Sequence, residues 1–434
     1  MSDSVFFTPS RRTLFKLSGV VAGGAALAAC SSKSSSGSSA SPGDPNAEFT
    51  FWSFTGIGAK ASVADYLAKN ANAHVKLSEV GSTTETATAL TAALAGGVVP
   101  DLVMIQGDDL PKFVENPSNF VDLRTLGGKD LAGNYLDWAV SGATSTNGSI
   151  IGVPTDVGGL GLAYRADLFQ AAGLPTDPAE VAKMWSTWDG FIAMGEKYTA
   201  ATGKPFVDNV ETTVFFSTVN QVTEKYYSPD GKLVYDTNPQ VKKAFDVAVK
   251  TYKAGISAKV AAWSSGWDPG KANGAFAVTV APSWLLSGIK SAAPATAGAW
   301  RVTALPGVGG NWGGSVIAIP KRAAHPEAAW QYIKTMMSTD AQTEHFKSTG
   351  TLPAAKDSLK SEAVLSYTDK FFGDSQIGKV MSDSVLNFHS FYNGPDTSAI
   401  GAGLLNALAS MQTGNVAPED AWQTGVKNVK DAVG

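Results

Sequence analysis

The sequence predicts an α/β fold organised in more than one lobe. From residue 49 onward, short apolar runs typical of strands alternate with helical patterns, as in α/β proteins. Without its first 29 residues the 434-residue chain keeps 405, more than one compact core usually organises. Two or three lobes are therefore expected.

The alternation is clearest near the start of the folded body. The predicted elements are strands at 49–52, 74–80 and 100–105 and helices at 63–70 and 83–95. The run at 100–105 follows a Gly-Gly break and is continuously apolar, as expected of a strand buried on both faces of a parallel sheet. Ligands bind beyond the carboxyl ends of strands in such sheets, so residues 54–56 and 106–109 are candidate site loops.

Later elements carry helix start signals. Thr187 is placed to cap a helix over 188–200, and Pro326 to start one that runs through Met337. Pro418 opens a final helix to Val433. Residues 274–284 and 314–320 are predicted strands.

The first thirty residues have the pattern of an export signal. A basic stretch with the pair Arg11 and Arg12 precedes an apolar run at 17–29 that is too short for a stable membrane span. Residues 27–30 (LAAC) then match a bacterial lipobox. Cys30 is the only cysteine in the chain, and lipidation at Cys30 explains a lone thiol in an exported protein.

The chain after Cys30 is expected to begin with a tether and continue as a water-soluble body. Residues 31–46 are Ser-, Gly- and Pro-rich and have little to bury, so 30–46 is predicted to be the lipidated cysteine and a flexible tether. No later apolar run reaches the length of a membrane span. The formal net charge of −4 argues against nucleic acid as a partner, for which a basic patch is expected.

Residues 161–174 (GLAYRADLFQAAGL) resemble the extracellular solute-binding proteins of carbohydrate ABC importers, and are similar to the group that contains the maltose-binding protein. That family usually shows Tyr-Asn where this chain has Tyr164 and Arg165. Further matching segments follow in family order: 187–191, 270–276 with 282–284, 305–307 with 313–315, 319–321 with 325–330, 350–353, and 413–414 with 418–421.

The resemblance implies a type II periplasmic-binding-protein-like fold, with two α/β lobes, a hinge and a ligand cleft between the lobes. One lobe would combine 47–152 with 301–337, and the other 153–300 with 340–434. It also implies a monomeric, lipid-anchored receptor on the outer face of the cytoplasmic membrane. Such a receptor binds a sugar by hinge closure, delivers it to the membrane subunits of an ABC importer and needs neither a cofactor nor a metal.

The candidate ligand-binding residues combine aromatic planes for the C–H faces of sugar rings with polar groups for their hydroxyls. Trp284 follows a turn where the family often carries a stacking aromatic, and the glycines after Trp312 would let backbone N–H groups approach a ligand. Two tryptophans in the turn-rich stretch 263–269 are expected to be hard to bury. The candidates are Trp284, Trp312, Gly313, Gly314, Trp267, Asp268, Asp108, Gln106, Phe54, Asp156 and Tyr392. The alternative role for these residues is packing in the core. For Asp108, or its neighbour Asp109, the alternative is to cap the helix that begins near Leu110, and we assign that cap to Asp109.

Two other functions compete with sugar binding. The same fold could bind a glycerol phosphodiester or a peptide, which cationic groups such as Arg165 or Arg301 in the cleft would favour. A secreted glycoside hydrolase needs two carboxyl groups at a fixed separation, and the sequence singles out no such pair. No G-x-S-x-G or H-E-x-x-H motif occurs, so the sequence predicts a binding protein rather than an enzyme.

Overall fold

The computed structural model describes residues 43–434, which belong to one compact unit. The predicted signal segment, Cys30 and most of the predicted tether lie outside the described residues. Within residues 43–434, no helix has both the length and the apolar character needed to cross a membrane.

The strands and helices follow the order expected of an α/β protein. The strands are β1 (Phe49–Phe54), β2 (Val75–Gly81), β3 (Leu102–Gln106), β4 (Gly152–Arg165), β5 (Val278–Pro282), β6 (Trp300–Ala304) and β7 (Asn311–Ala318). The helices are α1 (Ala59–Lys69), α2 (Thr83–Leu94), α3 (Leu110–Val114), α4 (Gly128–Ala132), α5 (Asp137–Gly142), α6 (Ala166–Ala171), α7 (Pro178–Met184), α8 (Trp188–Thr202), α9 (Ser217–Val219), α10 (Pro239–Lys253), α11 (Trp267–Asn273), α12 (Leu286–Ala292), α13 (Pro326–Met336), α14 (Thr339–Thr349), α15 (Lys356–Leu359), α16 (Glu362–Leu365), α17 (Ile377–Leu386), α18 (Thr397–Gln412) and α19 (Ala421–Val433). A π-helix at Glu211–Phe216 precedes α9.

Several predicted helix starts are confirmed by their hydrogen bonds. The Thr187 hydroxyl oxygen accepts the backbone N–H of Gly190 and caps α8. Pro326 occupies the first turn of α13. The predicted helix cap by the Asp109 side chain is wrong. Asp109 stands at the N-cap of α3 with helical backbone angles, so its carboxylate makes no capping bond and instead lies 3.6 Å from the Lys112 ammonium.

One mixed sheet runs through the described part of the chain, in the order β2-β1-β3-β7-β4-β5, with β6 also paired to β4. β3 is buried as predicted, but it pairs parallel with β1 and antiparallel with β7. The expected wholly parallel surroundings are therefore wrong, because the second neighbour comes from a distant part of the chain.

β4 connects the two groups of strands. Its first half, from Gly152 to Gly159, pairs with β7, and its second half, from Leu160 to Arg165, pairs with β5 and β6. Buried aromatic residues pack on both groups: Tyr332 against Phe51 near β1, and Phe169 against Tyr164 of β4. The chain thus passes through β4 from one core cluster to the next.

The predicted strand at 274–284 is shorter in the structure. Gly274 ends α11 with a φ of 71°, and a 3₁₀ turn at Ser283–Leu285 follows β5. Trp284 therefore lies in a turn at the end of a strand rather than within the strand.

Candidate functional site

A cleft of about 730 Å³ opens where the end of β3, the start of β7 and the first half of β4 meet. Its other walls come from α5, the end of the π-helix with the loop that follows, and residues 388–393. This volume lies in the range of small-molecule binding sites, roughly 300–1,000 Å³. The cleft includes the carboxyl end of β3, as expected for a ligand site in an α/β sheet.

Trp312 forms a central part of this cleft. Its ring lies 4.2 Å from the ring of Phe216, and its carbonyl oxygen accepts the indole N–H of Trp284 at 2.7 Å. Gly313 and Gly314 follow with φ angles of 100° and 97°, a region that favours glycine. These glycines let β7 pass close to Trp284 and to the backbone of Asp156.

Two exposed tryptophans extend the aromatic surface beyond Trp312. The rings of Trp263 and Trp284 lie 5.8 and 5.4 Å from Trp312, each nearly perpendicular to it. Trp263 is 60% exposed and has a φ of 60°, while Trp284 is 36% exposed. The exposure predicted for Trp263 is confirmed.

Asp108 and Gln106 lie together at the end of β3. The Gln106 amide donates to the Asp108 carboxylate at 3.1 Å and accepts the Asp108 backbone N–H at 2.7 Å. The Ser398 hydroxyl donates to the Asp108 carbonyl oxygen at 2.9 Å, which ties this loop to α18. Asp108 is exposed and lines the cleft, so its carboxylate can accept further hydrogen bonds.

Asp156 lies in β4, buried at the base of the cleft. The Thr155 hydroxyl donates to its carboxylate at 2.6 Å. Burial raises the pKa of Asp156 to about 6, although hydrogen bonds from Thr155 and Ser315 oppose that rise. Asp156 is thus mainly ionised at neutral pH and can accept a hydrogen bond from a ligand hydroxyl.

Aromatic side chains from outside the sheet also line the cleft. Trp138 of α5 packs edge-on to Phe388 at 5.0 Å, and Tyr392 packs edge-on to Tyr227 at 5.9 Å. Tyr392 is 42% exposed and lines the cleft as a candidate ligand contact. Sequence reasoning missed Trp138 and Phe216, because each lies in a helix where an aromatic residue usually signals core.

Lys225 also lines the cleft and was missed by the sequence analysis. Its side chain is buried, and its ammonium donates to the Asn220 side-chain oxygen at 3.1 Å. A lone lysine in a polar loop normally lies in solvent, so its sequence context gives no signal of burial. Lys225 supplies a buried cation in a cleft that acids otherwise dominate.

Five candidate residues are not among those that line this cleft. Trp284 and Gln106 lie next to it, since Trp284 bonds to Trp312 and Gln106 bonds to Asp108. The other three lie elsewhere. Phe54 is buried in the core at the end of β1. Trp267 is 2% exposed, and its indole N–H donates to Asp208 at 2.9 Å, which corrects the expectation that both tryptophans of this stretch are hard to bury. Asp268 pairs with Lys271 at 2.7 Å, with its carboxylate largely exposed.

The two arginines that would favour an anionic solute are paired elsewhere. Arg165 binds the Asp167 carboxylate at 2.8 and 2.6 Å, and Arg301 lies 3.0 Å from Asp374. In the described part of the chain, no group of three or more His, Cys, Asp or Glu side chains is arranged to hold a metal ion.

These features define a protein that binds a small polar solute in an aromatic-walled cleft, and sequence comparison gives the family. The profile described as bacterial extracellular solute-binding protein matches residues 61–371, and the chain belongs to that family. A crystal structure titled as an extracellular solute-binding protein of family 1 is 31% identical and has a TM-score of 0.82, covering 89% of this chain and 100% of its own. The fold is of the periplasmic-binding-protein-like type II class.

Two curated relatives are named for the sugars that they bind. The lactose-binding protein of Rhizobium radiobacter is 26% identical over 333 residues, which cover 71% of this chain and 75% of the relative. The arabinooligosaccharide-binding protein of Bacillus subtilis (strain 168) is 25% identical over 379 residues, covering 82% of this chain and 84% of the relative. This chain is similar to both over most of their length.

Proposed function

We propose that this chain is an exported receptor that binds a sugar, most simply an oligosaccharide, in the cleft beside Trp312. The observation that carries this proposal is the combination of aromatic planes with carboxylates in one cleft, since a sugar ring has apolar C–H faces and a rim of hydroxyls. The names of the two curated relatives support a sugar as the ligand class.

Binding is proposed to work by hinge closure. Asp108 and Trp312, of the first proposed lobe, and Phe216 and Tyr392, of the second, all line the cleft, so one ligand can contact both proposed lobes. A ligand that contacts both lobes stabilises the closed form over the open form. The closed form is the state that the membrane subunits of an ABC importer would recognise.

The anchor is part of the same proposal. Lipidation at Cys30 would hold the receptor at the outer face of the cytoplasmic membrane. A tether of about sixteen residues reaches roughly 20–24 Å. The receptor would then stay at high effective concentration beside its importer.

A thermal-shift screen of residues 40–434 against neutral mono- and oligosaccharides tests the ligand class. A solute that binds only the folded state raises the melting temperature. We expect a neutral oligosaccharide to give the largest shift, with lactose and arabinotriose as the first two probes. The sugar proposal fails if no glycan shifts the melting temperature while a glycerol phosphodiester or a peptide does so.

The same purified protein separates a receptor from a hydrolase. Cleavage of a bound oligosaccharide would release new reducing ends, whereas a receptor returns its ligand intact. We expect no release of reducing sugar during prolonged incubation.

A further inference from the structure

The feature that carries a further inference is the environment of Lys225. The side chain is 7% exposed, and its ammonium lies 5.7, 4.9 and 5.1 Å from the ring centres of Phe216, Tyr226 and Phe391. Aromatic faces stabilise a cation that has lost its water. The rings come from two separate segments of the chain, so the ammonium is held in a cage formed by the tertiary fold.

The hydrogen bonds of the ammonium are incomplete within the described residues. One of its three N–H groups donates to the Asn220 side-chain oxygen, and the Asn220 amide is fixed by its own bond to the Phe216 carbonyl at 2.8 Å. Among residues 43–434, no carboxylate lies within 4.0 Å of the Lys225 ammonium. Because burying an incompletely paired charge is costly, such a group in a cleft is a strong candidate for a ligand contact.

Asp108 lines the same cleft as this cation, from another segment of the chain. Burial lowers the pKa of Lys225 to about 8, and the charge of Asp108 opposes that fall. Burial raises the pKa of Tyr226, the neighbour of Lys225, and the same carboxylate adds to that rise. Lys225 is therefore mainly cationic at neutral pH, and it lines the same cleft as the Asp108 carboxylate.

The charges of the cleft decide which ligand groups can bind to these two residues. Besides Asp108, the acids Glu115, Asp156 and Glu224 line the cleft. A carboxylate or phosphate on the ligand would satisfy Lys225 but meet this excess of negative charge. An amine would satisfy Asp108 but meet the buried ammonium. Uncharged hydroxyls can accept a hydrogen bond from Lys225 and donate one to Asp108, and they avoid both conflicts.

We propose that Lys225 as donor and Asp108 as acceptor bind hydroxyl groups of an uncharged sugar in this cleft, and that they reject sugars carrying an acid, phosphate or amine in place of those hydroxyls. This inference rests on the proposed function and narrows its substrate class to neutral sugars. Lys225 thereby acts as a specificity-determining residue, since a neutral side chain in its place would remove the rejection of amines.

Isothermal titration calorimetry with charged and neutral probes tests the pair. The probes are the neutral sugar with the largest thermal shift, digalacturonate and the glucosamine disaccharide. We expect the wild-type protein to bind the neutral sugar and to bind either charged probe at least about tenfold more weakly. Lys225→Met should weaken neutral-sugar binding by about tenfold or more, because a hydrogen bond from a charged donor is lost.

Two further variants separate a ligand contact from a structural role. Lys232→Met removes an exposed lysine, paired with Asp230 in the next loop, and should leave every affinity unchanged. Asp108→Asn, at an exposed position that should tolerate the change, should strengthen the binding of digalacturonate. Lys225→Met should instead strengthen the binding of the glucosamine disaccharide. These opposite changes would not follow from a loss of folding.

The outcomes distinguish this inference from the proposed function. If the wild-type protein binds no sugar, the proposed function fails and this inference fails with it. If it binds a neutral sugar that Lys225→Met binds equally well, only the inference is overturned. Tight binding of digalacturonate that Lys225→Met abolishes would instead make Lys225 an anion site.

Discussion

Trp284 is partly exposed beside Trp312, which lines the cleft, and its indole N–H donates to the Trp312 carbonyl oxygen. We predict that Trp284→Ala weakens sugar binding by more than about tenfold, since a stacking plane is lost. Titration calorimetry measures the affinity, and the melting temperature reports whether the fold is retained.

Trp284→Phe is the matched control for that substitution. It keeps an aromatic face but removes the bond to Trp312, so it should retain most of the affinity. Equal affinity of Trp284→Ala and the wild-type protein would assign Trp284 to packing alone.

At the residue scale, the sequence predicts contacts that lie at strand ends better than contacts that depend on the tertiary fold. Asp108, Trp312 and its two glycines line the cleft, as their positions beside predicted strands indicated. Asp156 also lines it, but from within β4, a strand that the sequence analysis did not predict. The place of Lys225 in the cleft could not be predicted, because its aromatic cage includes Phe391, more than a hundred residues away along the chain. Trp267 was misjudged for the same reason, since its partner Asp208 comes from a distant segment.

At the scale of elements, the pairing of β4 with β7 supports the base of the cleft. A side-chain carbon added at Gly314 would lie 2.9 Å from the Asp156 carbonyl oxygen, and the residue has a φ of 97°. Gly314→Ala should therefore lower the melting temperature and weaken ligand binding, because the two strands must separate beneath Trp312.

Gly173→Ala is the control for backbone strain without steric conflict. Gly173 also has a positive φ, at 70°, but an added carbon would meet no heavy atom within 4 Å. We expect it to cost roughly 1–2 kcal/mol of stability and to leave ligand affinity unchanged. If Gly314→Ala behaves like Gly173→Ala in both measurements, contact between β4 and β7 does not control the site.

Element types were more predictable than sheet neighbours. The helix starts at Thr187 and Pro326 depend on local capping and backbone angles, which a short stretch of sequence contains. The antiparallel pairing of β3 with β7 joins Met104 to Ile317, and no local pattern determines such a partner. The continuity of β4 through both groups of strands is likewise a tertiary property.

At the scale of the whole molecule, Glu211 links protonation to stability. It lies in the π-helix before α9, and one carboxylate oxygen accepts the Gln412 amide while the other has no partner within the described residues. Burial, aided by the charge of Asp208, raises its pKa from 4.5 to about 7. The folded state therefore holds this proton more tightly than the unfolded state does.

The sign of the resulting pH dependence follows from that shift. Below about pH 4.5, Glu211 is protonated in both the folded and the unfolded protein, and its contribution to stability is complete. That contribution is lost as the pH rises through about 7, because the folded protein must then bury the charged carboxylate. Glu211→Gln stays neutral, so its melting temperature should fall less between about pH 5 and about pH 8 than that of the wild-type protein. Glu196→Gln, at an exposed helical position, should follow the wild-type profile. Parallel profiles for the wild-type protein and Glu211→Gln would show that Glu211 is ionised in the folded state throughout, and that burial in the π-helix does not control its proton.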